Sequence, residues 1–422
     1  MSGIATESAQ AMSCDSPDGL IPIEQACSRA AAYASVIEEH EEVSLGDAIG
    51  RTLALPVMSV LPLPPFDQSA MDGYALTAGD GLPSGTALGI AGRMAAGDEE
   101  LPLPQGSALR VLTGARIPHG ADAVVMQEHV VHGGGRIVLT RMARSGDNIR
   151  RRGEDVQAGE VLLQRGERID ARHVALLAAQ GFERTCVRRK VRIGVLSTGN
   201  ELRSQGERLS EASFFDSNRP MILALARQSG ADVVDGGIVG DDPQLIAGAL
   251  SELARRCDLI VTTGGVSVGD EDHSMVALVG ARGRGETLKV ALKPGKPAVI
   301  GSIGPTTYLG LPGNPVAALV SWLLLGSAVL AALDGRRALP LSVMRLPLMH
   351  AFNRRPGRTE FAPARIVQVN GGWAVEILGR GGSARLKPIG AADGLVRIEP
   401  LHAPVEQGDE VMFHPFRDGF SV

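Results

Sequence analysis

The sequence predicts a multidomain protein in which a central α/β domain is accompanied by β-rich domains. Three observations support this fold class. The chain has 422 residues, which is more than one hydrophobic core usually covers. From Val191 onward, β-branched apolar runs alternate with helical patterns, which indicates a mostly parallel sheet with covering helices. On either side of that region, short strand-like runs are broken by Gly and Pro, which is typical of small β domains.

The charge and the aromatic content argue against a nucleic-acid-binding function. The formal net charge is -5 and aromatic residues make up 3% of the chain, whereas nucleic-acid surfaces are usually basic and carry stacking rings. The four cysteines stand far apart without a Cys-x-x-Cys motif, at Cys14, Cys27, Cys186 and Cys257. This spacing supports neither a zinc site nor a disulfide framework. We therefore expect a cytoplasmic protein with reduced thiols and no nucleic-acid partner.

The N-terminal region predicts a tail followed by a helix. Residues 1–19 are small and polar, without Lys, Arg or a long apolar run, so we expect a flexible tail and no signal peptide. Apolar positions recur at helical spacing over residues 22–39. This spacing predicts one amphipathic helix that ends near His40.

A β-rich module follows a cluster of prolines between residues 62 and 65, which forces extended backbone and marks a domain boundary. A polar loop with Asp72 precedes its first predicted strand. Thr113 and a glycine stand at the end of another strand, where either a ligand site or an ordinary turn fits the pattern. Residues 148–155 concentrate three arginines beside two carboxylates, a charge run that is usually solvated.

In the α/β domain, a polar segment follows each of several predicted strands. Ligands of open α/β sheets bind beyond the carboxyl ends of the strands, so we expect these segments to meet at one edge. Asp242 is predicted to cap the helix that begins at Pro243, which leaves Asp241 as the freer carboxylate. The segments are residues 198–201, 241–242, 264–272, 293–296 and 311–315.

Residues 258–272 combine an apolar strand, a glycine-rich loop and, at residues 270–272, three consecutive acidic residues. The glycines allow backbone N–H groups to approach an anionic group closely. The acidic residues would repel that anion unless a divalent cation lay between them. The segment therefore indicates metal-bridged phosphate chemistry, with Asp272 as the functional candidate of the three, and not a Walker A site.

The C-terminal part predicts one long apolar helix and a further β domain. Residues 315–333 contain no charged side chain and are long enough to cross a bilayer. The run follows a Pro-Gly-Asn turn and includes serines and a glycine, so a buried helix is favoured over membrane insertion. Residues 337–422 return to short strands with Gly-Gly turns, which predicts a separate small β domain.

Eight motifs, in matching order, resemble the MoeA type of molybdopterin molybdenumtransferases, a family related to the E domain of gephyrin. The resemblance spans roughly residues 20 to 420. Its motifs are residues 66–75 (Phe-Asp-Gln-Ser-Ala-Met-Asp-Gly-Tyr-Ala), 113–115, 148–155, 197–201, 216–218, 264–270 (Gly-Gly-Val-Ser-Val-Gly-Asp), 293–297 (Lys-Pro-Gly-Lys-Pro) and 310–315 (Gly-Leu-Pro-Gly-Asn-Pro).

The resemblance implies an elongated homodimer of four-domain subunits, with an α/β domain similar to molybdopterin-binding proteins and a small C-terminal domain like a β-barrel. On this basis we predict a flexible tail over 1–19, an elongated linker domain over 20–60 and 147–190 that includes the N-terminal helix, the β-rich module over 61–146, the α/β domain over 191–336 and the C-terminal β domain over 337–422.

The resemblance also implies an enzyme that inserts molybdate into adenylylated molybdopterin, with Mg²⁺-dependent release of AMP. The residues assigned to catalysis are Asp72, Thr113, Asp155, Glu201, Lys289 and Lys293. Those assigned to substrate binding are Gly264, Gly265, Ser267, Gly269, Lys296, Pro312, Gly313, Asn314 and Pro315. The metal ligands are Asp241 and Asp272.

Our mechanistic hypothesis gives each group a task. Mg²⁺ on the two aspartates neutralises charge on the pyrophosphate as AMP leaves, and the glycine-rich loop holds the phosphate. The lysines collect molybdate, and Glu201 orients the pterin or a water. The module that carries Asp72 and Thr113 meets the α/β edge across the dimer. A molybdopterin adenylyltransferase and molybdoenzyme maturation factors are the implied partners.

Two other functions are compatible with parts of the sequence. An enzyme that transfers adenylyl groups from ATP is disfavoured because there is neither a Walker lysine nor a Gly-x-Gly-x-x-G motif. A non-catalytic molybdopterin-binding or gephyrin-like scaffold is disfavoured because polar groups stand at every matched position. One position departs from the family pattern: His273 stands where an aromatic residue often follows the acidic loop.

Overall fold

The computed structural model describes residues 19–266, 273–336, 341–369, 371–379, 384–402 and 404–417. The α-helices in this part of the chain are α1 (Ile23–Ala31), α2 (Ala171–Ala179), α3 (Asn218–Gln228), α4 (Pro243–Ala254), α5 (His273–Gly280), α6 (Pro315–Ser321), α7 (Ser327–Leu333) and α8 (Leu386–Gly390). A 3-10 turn covers Gln127–His129, and a π-helical turn, Trp322–Gly326, joins α6 to α7.

The strands are β1 (His40–Ser44), β2 (Val57–Met58), β3 (Gln68–Ser69), β4 (Gly73–Leu76), β5 (Ala87–Met94), β6 (Ser107–Val111), β7 (Ala123–Met126), β8 (Val130–Gly133), β9 (Arg136–Leu139), β10 (Ile149–Arg150), β11 (Val161–Leu163), β12 (Arg184–Arg188), β13 (Arg192–Thr198), β14 (Leu202–Arg203), β15 (Phe214–Phe215), β16 (Asp232–Val239), β17 (Leu259–Thr263), β18 (Arg284–Lys289), β19 (Leu292–Lys293), β20 (Pro297–Ile303), β21 (Thr306–Leu311), β22 (Met344–Pro347), β23 (Thr359–Val369), β24 (Gly372–Ile377), β25 (Gly394–Ile398) and β26 (Glu410–Pro415).

The chain divides into two compact units. The first comprises residues 1–54, 166–170 and 184–422, and the second comprises residues 55–165 and 171–183. An α/β sheet and a C-terminal β sheet belong to the first unit, and a β sheet forms most of the second. This arrangement confirms the predicted fold class, whereas the domain boundaries set from the sequence stay predictions.

The predicted N-terminal helix is shorter than expected. α1 ends at Ala31, and β1 begins at His40, so the prediction of one helix over residues 22–39 is wrong for its second half. The backbone N–H of Ile37 donates to the carbonyl of Leu333, at the end of α7, at 2.8 Å. This long-range hydrogen bond requires the chain to leave the helix, and helical spacing in the sequence does not reveal it.

The central sheet of the first unit has the strand order β16-β13-β17-β21-β20-β18. The first four strands are parallel, and β20 and β18 are antiparallel to their neighbours. Side chains alternate between the two faces, as the pleat requires. Ile193, Val261 and Leu309 pack with α1, α3 and the long helix, whereas Leu196 and Ile260 pack with α4 and α5. The predicted mostly parallel sheet is therefore a three-layer α/β/α arrangement with a mixed edge.

The apolar run from Pro315 to Leu333 belongs to this core. It is long and apolar enough to span a membrane, and 72% of its most apolar window is buried inside the structure. Val320, Leu325 and Val329 are almost fully buried against the sheet and α1. Such burial is typical of a core helix, as the sequence analysis favoured.

The C-terminal sheet has the order β19-β23-β25-β26-β22, with β24 paired to β23. Its core contains Val375, Val396 and Phe413, which are fully buried. The first strand of this sheet, β19, comes from the connection between β18 and β20 of the central sheet. The two domains of this unit are therefore joined by backbone pairing as well as by the chain.

The second unit is built on the sheet β7-β4-β6-β5-β9-β8, in which only β5 and β6 are parallel among its described strands. Its two faces are covered by separate apolar clusters, one with Tyr74 and Ile137 and the other with Met94 and Leu109. A glycine-rich turn at residues 133–135 connects β8 to β9 as a hairpin.

Candidate functional site

The carboxyl edge of the central sheet gathers the segments that the sequence predicted to meet. The parallel strands β13, β16, β17 and β21 all end at this edge. The connection between β18 and β20 lies there too, because β20 runs opposite to β21. The topology thus brings together the described residues of all five segments, while their chemical roles stay predictions.

Asp241 is tied to the loop that follows β13. The backbone N–H of Asn200 donates to Asp241 Oδ2 at 3.0 Å, and the backbone N–H of Asp241 donates to Asn200 Oδ1 at 3.1 Å. Asp242 accepts from the N–H groups of Gln244 and Leu245 as the N-cap of α4, which confirms its predicted capping role. No hydrogen bond from a described residue reaches Asp241 Oδ1.

Glu201 lies against Gly199 at the same edge. A Cβ atom on Gly199 would stand 2.7 Å from each carboxylate oxygen of Glu201, so only glycine permits this approach. The backbone carbonyl of Glu201 accepts the N–H of Phe214 at 3.0 Å. The backbone of Glu201 is thereby held, and its partly exposed carboxylate remains at the sheet edge.

The glycine segment after β17 packs tightly on the end of β13. Gly264 has φ +93°, and a Cβ atom there would lie 2.4 Å from the carbonyl oxygen of Thr198; Gly265 has φ +66°. Both positions therefore require glycine. The other predicted residues of this loop, Ser267, Gly269 and Asp272, lie outside the described residues.

The Pro312–Gly313–Asn314–Pro315 turn is fixed from two sides. Asn218 Nδ2 donates to the carbonyl of Gly313 at 2.6 Å, and a Cβ atom on Gly313 would be 3.6 Å from the Cα atom of Gly264. Asn314 is the N-cap residue of α6, and Pro315 occupies the first turn. The turn and the glycine segment are therefore neighbours. This agrees with the prediction that both bind the substrate.

The Lys293–Pro294–Gly295–Lys296 turn lies between the central sheet and the C-terminal sheet. Its peptide bond before Pro294 is cis. Gly295 has φ +114°, and a Cβ atom there would be 2.9 Å from Ser321 Oγ. Lys293 Nζ forms an ion pair with Glu360 Oε1 at 3.1 Å.

A cavity of about 450 Å³ opens beside this turn. Four cationic side chains line it, and we call it the cation cavity: Lys293, Lys296, Arg358 and Arg385. The predicted residues Pro312, Gly313 and Asn314 line it as well, and its one carboxylate among the described residues is Glu360. Four cations against one carboxylate create a positive field that suits a small oxyanion. Lys289, at the exposed end of β18, is not among the described lining residues.

A second, more open depression adjoins the cation cavity through Lys293, Lys296 and Arg358. Arg354 and Arg355 add two more cations to its wall. The arginines of both depressions come from the C-terminal β domain, from which the sequence analysis selected no residue. In the sequence, the Pro-Gly-Arg turn at residues 356–358 was the one signal that could have pointed to these arginines. An isolated arginine after a turn, however, is usually a solvated surface residue.

The second unit holds a separate group of predicted residues. The backbone N–H and the hydroxyl of Thr113 both donate to Asp72 Oδ1 at 2.8 Å. These donors lower the pKa of Asp72 below its ordinary value, with the backbone N–H as the larger cause. The structure thus joins two residues that the sequence selected separately.

Asp67 anchors the arginine-rich loop of the same unit. The backbone N–H of Arg152 donates to Asp67 Oδ1 at 2.8 Å, and Arg151 Nη1 donates to Asp67 Oδ2 at 2.7 Å. The pKa of Asp67 is lowered, chiefly by the Arg152 N–H. Asp155 is exposed, and its N–H donates to the carbonyl of Leu63 at 3.0 Å. We call Asp67, Asp72 and Thr113 the acidic cluster.

The described residues contain no group of three or more His, Cys, Asp or Glu side chains that could hold a metal ion. Of the two predicted metal ligands, Asp241 is described and Asp272 is not. A free carboxylate oxygen at a sheet edge is the donor type that Mg²⁺ prefers. Asp241 fits a magnesium ligand, and the magnesium site as a whole stays a prediction.

Three family models match the chain in consecutive regions. The model described as MoeA N-terminal region (domain I and II) matches residues 21–181. The model of a probable molybdopterin binding domain matches residues 194–332, which include the central sheet and the edge described above. The model of the MoeA C-terminal region (domain IV) matches residues 345–416.

A molybdopterin molybdenumtransferase of Haemophilus influenzae is 33% identical over 402 residues, which cover 94% of this chain and 99% of that relative. The chain belongs to the MoeA family of molybdopterin molybdenumtransferases. Molybdopterin molybdenumtransferase 2 of Mycobacterium tuberculosis is 39% identical over 290 residues, or 66% of this chain and 72% of that relative. The crystal structure of the MoeA protein of Pyrococcus horikoshii OT3 superimposes with a TM-score of 0.78 at 28% identity, covering 94% of this chain and all of that one. The resemblance inferred from the motifs is confirmed.

Proposed function

We propose that this protein inserts molybdenum from molybdate into adenylylated molybdopterin, with release of AMP and with the help of Mg²⁺. The coarser function, a transferase of molybdenum cofactor biosynthesis, follows from family membership. The observation that carries the finer proposal is the cation cavity. It lies next to the sheet edge of the domain that matches the molybdopterin-binding model, so an oxyanion and a pterin phosphate would be neighbours.

The cavity supports molybdate as one substrate. Molybdate is a tetrahedral dianion, and Lys293, Lys296 and Arg358 line the cavity with ammonium and guanidinium donors. Charge-assisted hydrogen bonds to such donors are stronger than neutral ones. Gly313 and Asn314 line the same cavity and belong to the sheet edge. We propose that these groups bind molybdate and orient it towards the molybdopterin.

The glycine segment supports the phosphate part of the other substrate. Gly264 and Gly265 have left-handed backbone conformations, and loops with such conformations can bind phosphate through backbone N–H groups. The free oxygen of Asp241 would hold Mg²⁺, which supplies charge neutralisation at the phosphates when bound. We propose that Glu201 orients the pterin or a water molecule from the neighbouring loop.

Three residues of the second unit are proposed to serve the same reaction in a homodimer. Asp72, Thr113 and Asp155 would act from one subunit on the substrate held by the other. Mixing Asp72→Asn chains with Lys293→Ala chains, each of which has reduced activity alone, tests this arrangement, because a hybrid dimer then contains one intact site. Recovery of AMP release supports a shared site, and no recovery despite hybrid formation would contradict it.

The cellular setting is part of the same proposal. Cys27, Cys186 and Cys257 are free thiols, which suits the reducing cytoplasm. A molybdopterin adenylyltransferase would supply the substrate, and molybdoenzyme maturation factors would receive the product.

The deciding experiment measures AMP release by the purified protein with adenylylated molybdopterin, molybdate and Mg²⁺. We expect AMP only when molybdate is present, and much less with sulfate in its place. AMP release that is independent of molybdate would contradict the proposal. ATP consumption by the protein alone would favour an adenylyl-transferring enzyme, and binding of molybdopterin without turnover would favour a scaffold.

A further inference from the structure

We propose that Glu360 and Arg354, both in the C-terminal β domain, are positioning residues that hold the ammonium group of Lys293 on the wall of the cation cavity for binding an oxyanion. This inference rests on the proposed function, because it concerns the site to which we assign molybdate. It gives the C-terminal domain a part in substrate binding that does not require its own residues to react.

The first argument is the backbone register. β19 pairs in parallel with the start of β23, so that Leu292 faces Thr359 and Lys293 faces Glu360. The backbone N–H of Thr359 donates to the carbonyl of Ala291 at 3.0 Å and fixes this pairing. Facing residues of paired strands project on the same side of the sheet. The strand pairing therefore places the carboxylate of Glu360 beside Lys293, and the contact does not depend on a flexible surface side chain.

The second argument is a chain of charges that becomes more buried with distance from the cavity. Lys293 Nζ lies 3.1 Å from Glu360 Oε1, and Glu360 Oε2 lies 3.2 Å from Arg354 Nε. The exposed fractions of these side chains are 46%, 5% and 0% in that order. The Arg354 contact is not aligned as a hydrogen bond, so it acts as an ion pair. A carboxylate paired with two cations repels an anion in the cavity less than an unpaired carboxylate would.

Arg354 is itself fixed by backbone carbonyls. Its Nη1 donates to the carbonyl of Glu399 at 2.7 Å, and its Nη2 donates to the carbonyl of Arg358 at 2.5 Å. The second of these bonds also fixes the backbone of Arg358, whose side chain lines the cavity. Arg354 thus holds both Glu360 and the segment that presents Arg358.

The third argument is the donor count of the ammonium group. A lysine ammonium has three N–H donors, and Glu360 takes one of them. The ion pair therefore restricts the side chain while it leaves donors for an oxyanion. Without Glu360, the mutual repulsion of the four cavity cations would favour a lysine that extends into solvent.

The test measures binding of sodium molybdate to the full chain by equilibrium dialysis. Glu360→Asp keeps the negative charge but shortens the side chain by one methylene group, which withdraws the carboxylate from Lys293. We expect the molybdate affinity to fall about tenfold, the size of effect that a lost hydrogen bond to a charged group produces. In turnover, the KM for molybdate should rise while kcat stays nearly constant, because binding and not the reacting group has changed.

The effect must act through Lys293. We therefore expect Glu360→Asp to cause no further loss of molybdate affinity in a Lys293→Ala chain, which separates positioning from a general weakening of the domain. Glu376→Gln is the matched control, since Glu376 pairs with Arg365 at 2.7 Å on the same sheet and does not line the cavity. This control should bind molybdate as the wild type does.

Three outcomes would overturn the inference or the function on which it rests, and they differ. Unchanged or tighter binding by Glu360→Asp, or an equal loss in the Lys293→Ala background, removes the positioning role. Failure of the wild-type chain to bind molybdate removes the oxyanion site and this inference together. Molybdate binding with the expected coupling, but without AMP release, leaves the positioning role intact and contradicts the proposed reaction.

Discussion

The acidic cluster and the cation cavity hold their charged side chains in different ways. In the acidic cluster, Asp67 and Asp72 accept hydrogen bonds from loop residues of the same small module. In the cation cavity, side chains of like charge come from two domains, and one of them, Lys293, is held by a buried carboxylate. The first arrangement depends on local loop geometry, and the second depends on long-range packing.

This difference predicts how each region responds to change. Hydrogen bonds at an exposed carboxylate exchange with water at little net cost, so the acidic cluster should tolerate substitutions structurally. The cation cavity is bordered by glycines in close contact and by buried ions, so its geometry should be sensitive to added volume and to lost partners. Four predictions test the contrast, in order of decreasing effect.

Lys293→Ala should reduce AMP release about a hundredfold or more, because it removes a cation that stabilises oxyanion charge. The thermal midpoint should fall as well, because the substitution leaves the buried carboxylate of Glu360 with one charged partner fewer. Lys190→Ala is the control, because Lys190 is an exposed lysine that lies 3.9 Å from Asp232 and not at the cavity. Equal activity of the two variants would show that the cavity does not serve the reaction.

Gly264→Ala should destabilise the fold by about 3 kcal/mol, from a left-handed backbone and a Cβ atom 2.4 Å from Thr198 O. Gly114→Ala, beside Thr113, is its counterpart in the other region. Gly114 has φ +82°, but its Cβ atom would make an ordinary 3.6 Å contact with Ala96, so the cost should be about 1 kcal/mol. Urea unfolding of both variants measures the difference, and similar losses would remove the contrast in packing.

Asp72→Asn should lower AMP release about tenfold with no change in thermal midpoint, because a charged acceptor of the Thr113 donors becomes neutral. Asp98→Asn is the matched control in the same module, since Asp98 Oδ2 accepts the N–H of Ala95 at 2.7 Å in a turn. If Asp72→Asn retains full activity, the acidic cluster only stabilises the loop conformation and is not part of the active site.

Acidification should give the smallest effect, and the acidic cluster should contribute to it. The pKa values of Asp67 and Asp72 are lowered in the folded state, so both groups stabilise the fold above the unfolded aspartate pKa, near 3.9. This stabilisation is lost as the pH falls through the lower folded values. Thermal unfolding between pH 6 and pH 3 should show a slightly steeper acid limb for the wild type than for Asp67→Asn. Parallel limbs would contradict the assigned hydrogen bonds.

Much of the candidate site was predictable because it follows strand ends. Asp241, Glu201 and the glycines at 264 and 265 stand directly after apolar strand runs, and parallel topology places such residues at one edge whatever the details of packing. The capping role of Asp242 was predictable for the same local reason, since its side chain contacts the next residues in the chain. Arg358, Arg385 and Glu360 could not be predicted from the sequence. They join the candidate site only because they lie near the turn at residues 293–296, which is distant from them in the chain.

The sequence by itself determined the polar residues at the strand ends, the positions that only glycine can occupy and the apolar runs that form the core. These are consequences of local backbone geometry and of the two-residue alternation of strands. The tertiary structure decided where the N-terminal helix stops and which residues surround Lys293. The pairing of β19 with β23 and the hydrogen bond from Ile37 to Leu333 join segments far apart in the chain, and such contacts are selected by the whole packed core and carry no local sequence signal.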